Sequence, residues 1–204
     1  MRRMSWSGAG TMAGIGLVLA GAAACSQSQQ PAQADAPAAA MEAAPSAARG
    51  EYLVTIGGCN DCHTPKVMTD HGPELDPQHI LSGHPADLKP APVPAGALTP
   101  NGWMAMTDGT MTAWAGPWGI SFTANLTPDP SGLGNWTEDM FIAALRTGKH
   151  AGNGRPILPP MPWQMIGKMT DSDLKSVFMY LRTLPPVSNV VPQPIPPTGP
   201  PPGN

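Results

Sequence analysis

Gly57-Gly58-Cys59-Asn60-Asp61-Cys62-His63-Thr64-Pro65 is the stretch around which the rest of this chain has to be arranged. Its centre is a C-x-x-C-H motif. Two thiols one helical turn apart can reach the two vinyl groups of a single porphyrin and become thioethers. The imidazole that follows directly then lies under the ring centre, where it can ligate iron. A thiol–disulfide pair of the thioredoxin type would be expected inside a βαβ pattern, which is absent here. Zinc would need a second pair of ligands at matching spacing, and the sequence has none. One motif implies one covalently attached haem c, with Cys59, Cys62 and His63 as its first protein partners. Of the 3 cysteines, only Cys25 is then left over.

The sixth iron ligand is expected from Pro159-Pro160-Met161-Pro162-Trp163. Prolines fix that backbone, so the Met161 thioether can be held in a pre-organised loop. Methionine and histidine together raise the reduction potential and fill both axial positions, which suits electron transfer better than oxygen activation. With 13 methionines in the chain, competitors exist. Met165 and His150 are the first of these; His71, His79 and His84 read as loop histidines. The Pro65 carbonyl could accept the His63 ring N–H, and Arg155, Trp136 or Asn125 could bind the haem propionates. Trp103, Met104, Met106, Met111, Trp114 and Trp118 cluster in one stretch, where soft copper(I) is a conceivable ligand and a cover for the haem or a partner surface is the plainer reading.

Around the motif the patterning predicts three helices. Ser46 caps a segment from Ala47 to Ile56, which Gly57-Gly58 interrupts just before the cysteines. Thr137 caps a second, with Glu138 and Asp139 in its first turn, Met140, Phe141, Ala144 and Leu145 on one face, and Gly148 at its end. Thr170 and Asp173 open a third, carrying Leu174, Val177, Phe178 and Leu181 at helical spacing before Pro185-Pro186. Between His63 and Thr123 little is periodic. That region reads as long loops with one short extended piece at 120–124, wrapped around something large.

The ends differ from this middle. Arg2-Arg3, an apolar stretch through Ala20 and the small residues up to Cys25 read as an export leader, residues 1–25. Ala22-Ala23-Ala24-Cys25 is similar to a lipoprotein signal, which would make Cys25 a lipidation site. Ordinary cleavage nearby and retention of the leader as an anchor helix are the alternatives. Residues 26–46, mostly Ala, Pro, Gln and Ser, form a flexible linker. Residues 47–187 form the head. Residues 188–204 form a Pro-rich tail in extended form, either solvated or draped over the head.

Composition narrows the function classes. The chain has 27 Pro and 23 Gly among 204 residues, only 12% charged residues and a formal charge of −3. A quarter of the chain being Pro or Gly leaves too little for a large doubly wound enzyme. An acidic balance without a basic face excludes nucleic acid as a partner.

Several stretches together resemble class I c-type cytochromes: Gly50-Glu51-Tyr52-Leu53-Val54 ahead of the C-x-x-C-H, Asn125-Leu126-Thr127-Pro128-Asp129, Gly134-Asn135-Trp136-Thr137-Glu138, Ile157 to Trp163, and Tyr180 to Pro186. They are similar to the cytochrome domains that serve membrane-bound alcohol and sugar dehydrogenases. The resemblance covers about 47–187 and is poor over 64–118. It implies an all-α, cytochrome c-like helical fold around one haem, with a long loop insertion and Pro-rich disordered ends. It also implies an N-terminal helix crossing a C-terminal one with Gly50 near Tyr180, and it supports Met161 as ligand. The expected role is that of a monohaem electron carrier, not an enzyme, at a periplasmic or outer-facing membrane surface. Its partners would be redox proteins such as a dehydrogenase, an oxidase or other cytochromes, with the membrane reached through a lipid anchor or a retained leader helix. Dedicated service as a dehydrogenase subunit, or a ligand-binding haem with a displaceable sixth ligand, are the alternatives.

Overall fold

A computed structural model of the chain describes residues 44–98 and 102–197. The expected leader, Cys25 and nearly all of the linker lie outside the described residues. Helix α1 (Ala47–Ile56) starts as its cap dictates: the Ser46 hydroxyl accepts the Arg49 N–H at 3.2 Å. Gly57 ends it, and Gly58 turns the chain through a left-handed conformation (φ 64°) into the short helix α2 (Cys59–His63). Helix α5 (Asp171–Leu181) opens with Thr170 accepting from the Asp173 N–H at 3.1 Å. Its buried face carries Leu174, Val177, Phe178 and Leu181.

Helices α1 and α5 cross at Gly50. A Cβ placed there would lie 1.9 Å from the Ser176 carbonyl oxygen and 2.8 Å from the Tyr180 Cβ. The crossing therefore requires the absence of a side chain, and Gly50 does sit beside Tyr180. Across the same crossing the Ser46 N–H donates to the Ser176 hydroxyl (3.1 Å). Gly50→Ala is expected to lower stability by about 1–3 kcal/mol through overpacking, despite a helix-propensity gain of about 1 kcal/mol. A denaturant midpoint equal to that of the unaltered protein would contradict this packing.

Helix α3 (Glu138–Thr147) has Thr137 as its cap and Gly148 at its left-handed end, and it buries Phe141, Ala144 and Leu145. The Phe141 and Phe178 rings lie 5.3 Å apart, which joins α3 to α5. A 3-10 turn at His150–Gly152 follows, and then helix α4 (Trp163–Ile166), four residues that carry no helical periodicity of their own. The core joins these helices to two loop residues, Leu81 and Leu133.

The all-α expectation is overturned by two antiparallel sheets. Strands β1 (Lys66–Thr69) and β2 (Gly72–Leu75) form a hairpin with Lys66 opposite Leu75 and Thr69 opposite Gly72. Strands β3 (Met106–Thr107), β4 (Ala113–Gly116) and β5 (Gly119–Phe122) form a three-stranded sheet in sequence order. In it Ala113 faces Phe122, and Gly116 faces Gly119. Strands of two to four residues complete at most two alternations, too few for a period of two to emerge from the sequence. The region between is wrapped, as expected of long loops, but around its own polar core. His84 is fully buried, its ring bonded to the Thr112 hydroxyl (2.8 Å) and the Leu88 carbonyl (2.9 Å).

The proline-rich C-terminal stretch is, as far as Pro197, draped over the head. The Asn189 side-chain amide donates to the carbonyls of Ser82 (2.7 Å) and His84 (2.9 Å), and Ile195 pairs with Ile120 in both directions, N···O 2.8 and 2.9 Å. Prolines remove donors from such a segment, so the few amides it keeps decide where it lies. No helix among the described residues is long and apolar enough to cross a membrane.

Candidate haem site

Helices α1, α2, α3 and α5, the 121–126 segment, the 157–162 loop and residues 190–194 enclose a cavity of about 610 Å³. That is a volume typical of cofactor-sized ligands, about 300–1,000 Å³. Its wall is largely apolar, with Leu53, Val54, Leu126, Phe141 and Leu181 among its lining.

Cys59, Cys62 and His63 stand together on this wall, because Gly57-Gly58 breaks α1 and restarts the chain as a single helical turn. Both thiols are free and half-buried. Burial pushes each above the ordinary thiol range, more than offsetting the lowering that Lys66 exerts on Cys62. Redox-active C-x-x-C pairs have lowered thiol pKa values instead, so the environment argues against disulfide exchange. His63 is 8% exposed, and its Nδ1 lies 2.8 Å from the Ala124 carbonyl oxygen. A carbonyl can only accept, so Nδ1 carries the proton and Nε2 keeps the lone pair that a metal requires. Burial also holds the imidazole below its usual pKa, against the Ala124 bond that raises it. The ring is therefore neutral at neutral pH. A partly apolar cavity bearing two thiols and one oriented, neutral imidazole has the donor set and the shape that a covalently attached haem needs.

The carbonyl that orients His63 was expected at Pro65, and that expectation is corrected. The Pro65 oxygen accepts the Asp76 N–H at 2.9 Å, while Ala124, two residues past β5, supplies the acceptor. A main-chain acceptor 61 residues away has no side-chain signature, which is why only the structure reveals it.

The 157–162 loop brings Met161 to the same cavity. It packs against the core beside Pro160 and Pro162. The Ser121 hydroxyl donates to the Pro159 carbonyl at 2.6 Å and ties this loop to β5. Met165 is 73% exposed and is absent from the lining, so the structure separates the two methionines. His150 does reach the wall, its ring edge-on to Trp136 at 4.9 Å. All three residues considered for propionates, Trp136, Arg155 and Asn125, line the cavity, but the Asn125 side chain is already engaged. Asn125 is 4% exposed, with its amide donating to Val187 O (2.8 Å) and its oxygen accepting from Thr127. It builds the loop instead. His71 and His79 stay on the surface, the latter paired with Asp76 at 2.6 Å. Among the described residues no cluster of three His, Cys, Asp or Glu side chains could hold a metal ion without such a cofactor.

Two contributions were missing from the sequence reading. Met169 lines the cavity, and so do Val190, Val191, Pro192, Gln193 and Pro194 of the draped C-terminal stretch. Val190, Val191 and Ile195 are apolar residues among prolines, the one hint the sequence offers that this stretch packs on something.

No family model matches the chain. It is 29% identical over 153 residues to the fructose dehydrogenase cytochrome subunit of Gluconobacter japonicus, covering 74% of this chain and 24% of that protein. It is 30% identical over 151 residues to the cytochrome c subunit of the quinone alcohol dehydrogenase of Gluconacetobacter polyoxogenes, covering 70% and 25%. To the gluconate 2-dehydrogenase cytochrome c subunit of Pantoea cypripedii it is 29% identical over 133 residues, 65% and 22%. The chain thus spans about a quarter of the length of the curated relatives it matches. Taken with the C-x-x-C-H turn and its cavity, these relationships make the chain similar to the cytochrome c subunits of fructose, alcohol and gluconate dehydrogenases.

Proposed function

We propose that this protein is a monohaem electron carrier, with Cys59 and Cys62 holding the macrocycle and His63 and Met161 as axial ligands. The observation that supports this most directly is that His63, oriented by Ala124, and Met161, tied to β5 through Ser121, share one cavity although 98 residues of chain separate them. When bound, haem supplies a one-electron iron couple. Cys59 and Cys62 would hold it covalently, His63 and Met161 would ligate its iron, and the largely apolar lining would exclude water from it. An apolar surround favours the state of lower net charge and so a higher potential.

The electron donor proposed is a dehydrogenase of the kind named for the relatives, with an oxidase or another cytochrome downstream. The chain is placed on the exported side of a membrane, held there by lipid on Cys25 or by a retained leader helix. Carbon monoxide added to the reduced protein is expected to leave its absorption spectrum unchanged at neutral pH, because both axial positions are taken. Rapid binding would instead indicate a ligand-handling haem with a displaceable sixth position. Co-purification with a dehydrogenase separates a dedicated subunit from a free shuttle.

A further inference from the structure

We propose that Lys66 is a positioning residue for the haem-attachment turn and the fixed positive charge that tunes its redox couple. This rests on the haem reading above. Lys66 opens β1, where it pairs with Leu75, and its N–H donates to the Thr110 carbonyl at 3.2 Å. From that anchored backbone the side chain reaches back over α2. Its ammonium donates to the carbonyls of Asn60 and Thr64, each at 3.0 Å, and to that of Asp61.

An ammonium has three donors and no acceptor, so the whole donor set of Lys66 is spent on one turn. Helix α2 is five residues long. The Asn60 carbonyl already accepts the Thr64 N–H at 3.2 Å, but the residue four beyond Asp61 is Pro65, which has no N–H to give. The end of the turn therefore keeps unused acceptor capacity and the negative end of the backbone dipole. Left alone, that remaining capacity would need water beside the residue that holds iron. Lys66 satisfies them from the protein and thereby fixes the direction in which the turn presents His63 and Cys62. The Thr64 hydroxyl, donating to the Asn60 side chain at 2.7 Å, braces the same turn from its other side.

The charge has a second effect. The oxidised centre carries one more positive charge than the reduced one, so a nearby fixed cation disfavours oxidation and raises the potential. Burial disfavours the charge on Lys66, and the carboxylate of Asp61, of opposite sign, favours it. Its side chain is exposed, however, and its field is damped by solvent and salt.

The test compares Lys66→Gln, Lys66→Met and Lys66→Arg with the unaltered protein and with Lys89→Met, which removes an exposed lysine elsewhere. Each is produced with haem attached and titrated potentiometrically. Lys66→Gln keeps an amide donor for the carbonyls but loses the charge. At a fixed applied potential its ratio of oxidised to reduced protein is expected to rise about tenfold, which is 59 mV for one electron. Lys66→Arg is expected to stay within about twofold, and Lys89→Met to show no shift. If Lys66→Gln and Lys66→Met fail to load haem while Lys66→Arg loads it, the positioning role is supported. A loaded Lys66→Gln or Lys66→Met with the unaltered potential overturns the proposal alone. Absence of covalent haem from the unaltered protein overturns both this proposal and the reading beneath it.

Discussion

Serine at both Cys59 and Cys62 is expected to yield a protein whose haem passes entirely into acidified organic solvent, leaving a chain of unaltered mass. The unaltered protein should retain its pigment and weigh one haem more. The expectation follows from chemistry, because a thioether survives conditions that protonate imidazole and release an axial ligand, whereas coordination does not. The two thiols also stand where burial raises their pKa values, so their use as a disulfide pair is disfavoured. A second consequence concerns stability. The cavity of about 610 Å³ has no side chain to fill it, and Leu53, Val54 and Phe141 line it. Weakly held haem leaves that apolar surface without a partner, so the double variant should also unfold at lower temperature or denaturant. Pigment that resists extraction from the serine variant would contradict the attachment outright.

Met161→Ala should remove the thioether-to-iron absorption band of the oxidised protein and open the sixth position to carbon monoxide. Its reduction potential should fall by on the order of 0.1 V, a modest part of the ~0.8 V over which axial ligands move haem potentials. Met165→Ala should leave both properties intact, since that side chain is turned to solvent. The pair is informative because the two methionines lie four residues apart in a methionine-rich chain and differ chiefly in which of them lines the cavity. If the band survives in Met161→Ala and vanishes in Met165→Ala, the ligand is misassigned. If neither single change removes it, His150, which also lines the cavity, is the next residue to replace.

The helices were legible because their signals are local. Ser46, Thr137 and Thr170 each cap the helix that their sequence context implies, and Gly148 ends α3 in the left-handed conformation that glycine adopts without strain. The attachment turn was legible because its chemistry demands fixed spacing. What stayed hidden depends on distant main chain or on very short elements. Strands β1 and β2 meet through a two-residue turn, Asp70-His71, that lacks the usual glycine at its second position. Strands β4 and β5 are joined by Pro117-Trp118 between two glycines, and the Trp118 ring folds over Gly116 so closely that a Cβ there would meet it at 2.4 Å. Nothing in local patterning distinguishes that arrangement from a loop. The Ala124 carbonyl belongs to the same class: any residue could supply it, so no residue type announces it.

The C-terminal stretch that seats Asn189 beside Ser82 and His84 has a practical consequence for anyone preparing the protein. A gene fragment stopped after Val187 would keep every helix and every residue proposed to touch iron. It would still delete the side of the pocket formed by residues 190–194 and strand the amide and carbonyl of Ile120 that Ile195 now satisfies. Such a trimmed product would show its cofactor to solvent on a flank that the intact molecule covers. Its electrochemistry would then describe a different, wetter object than the one that the cell makes.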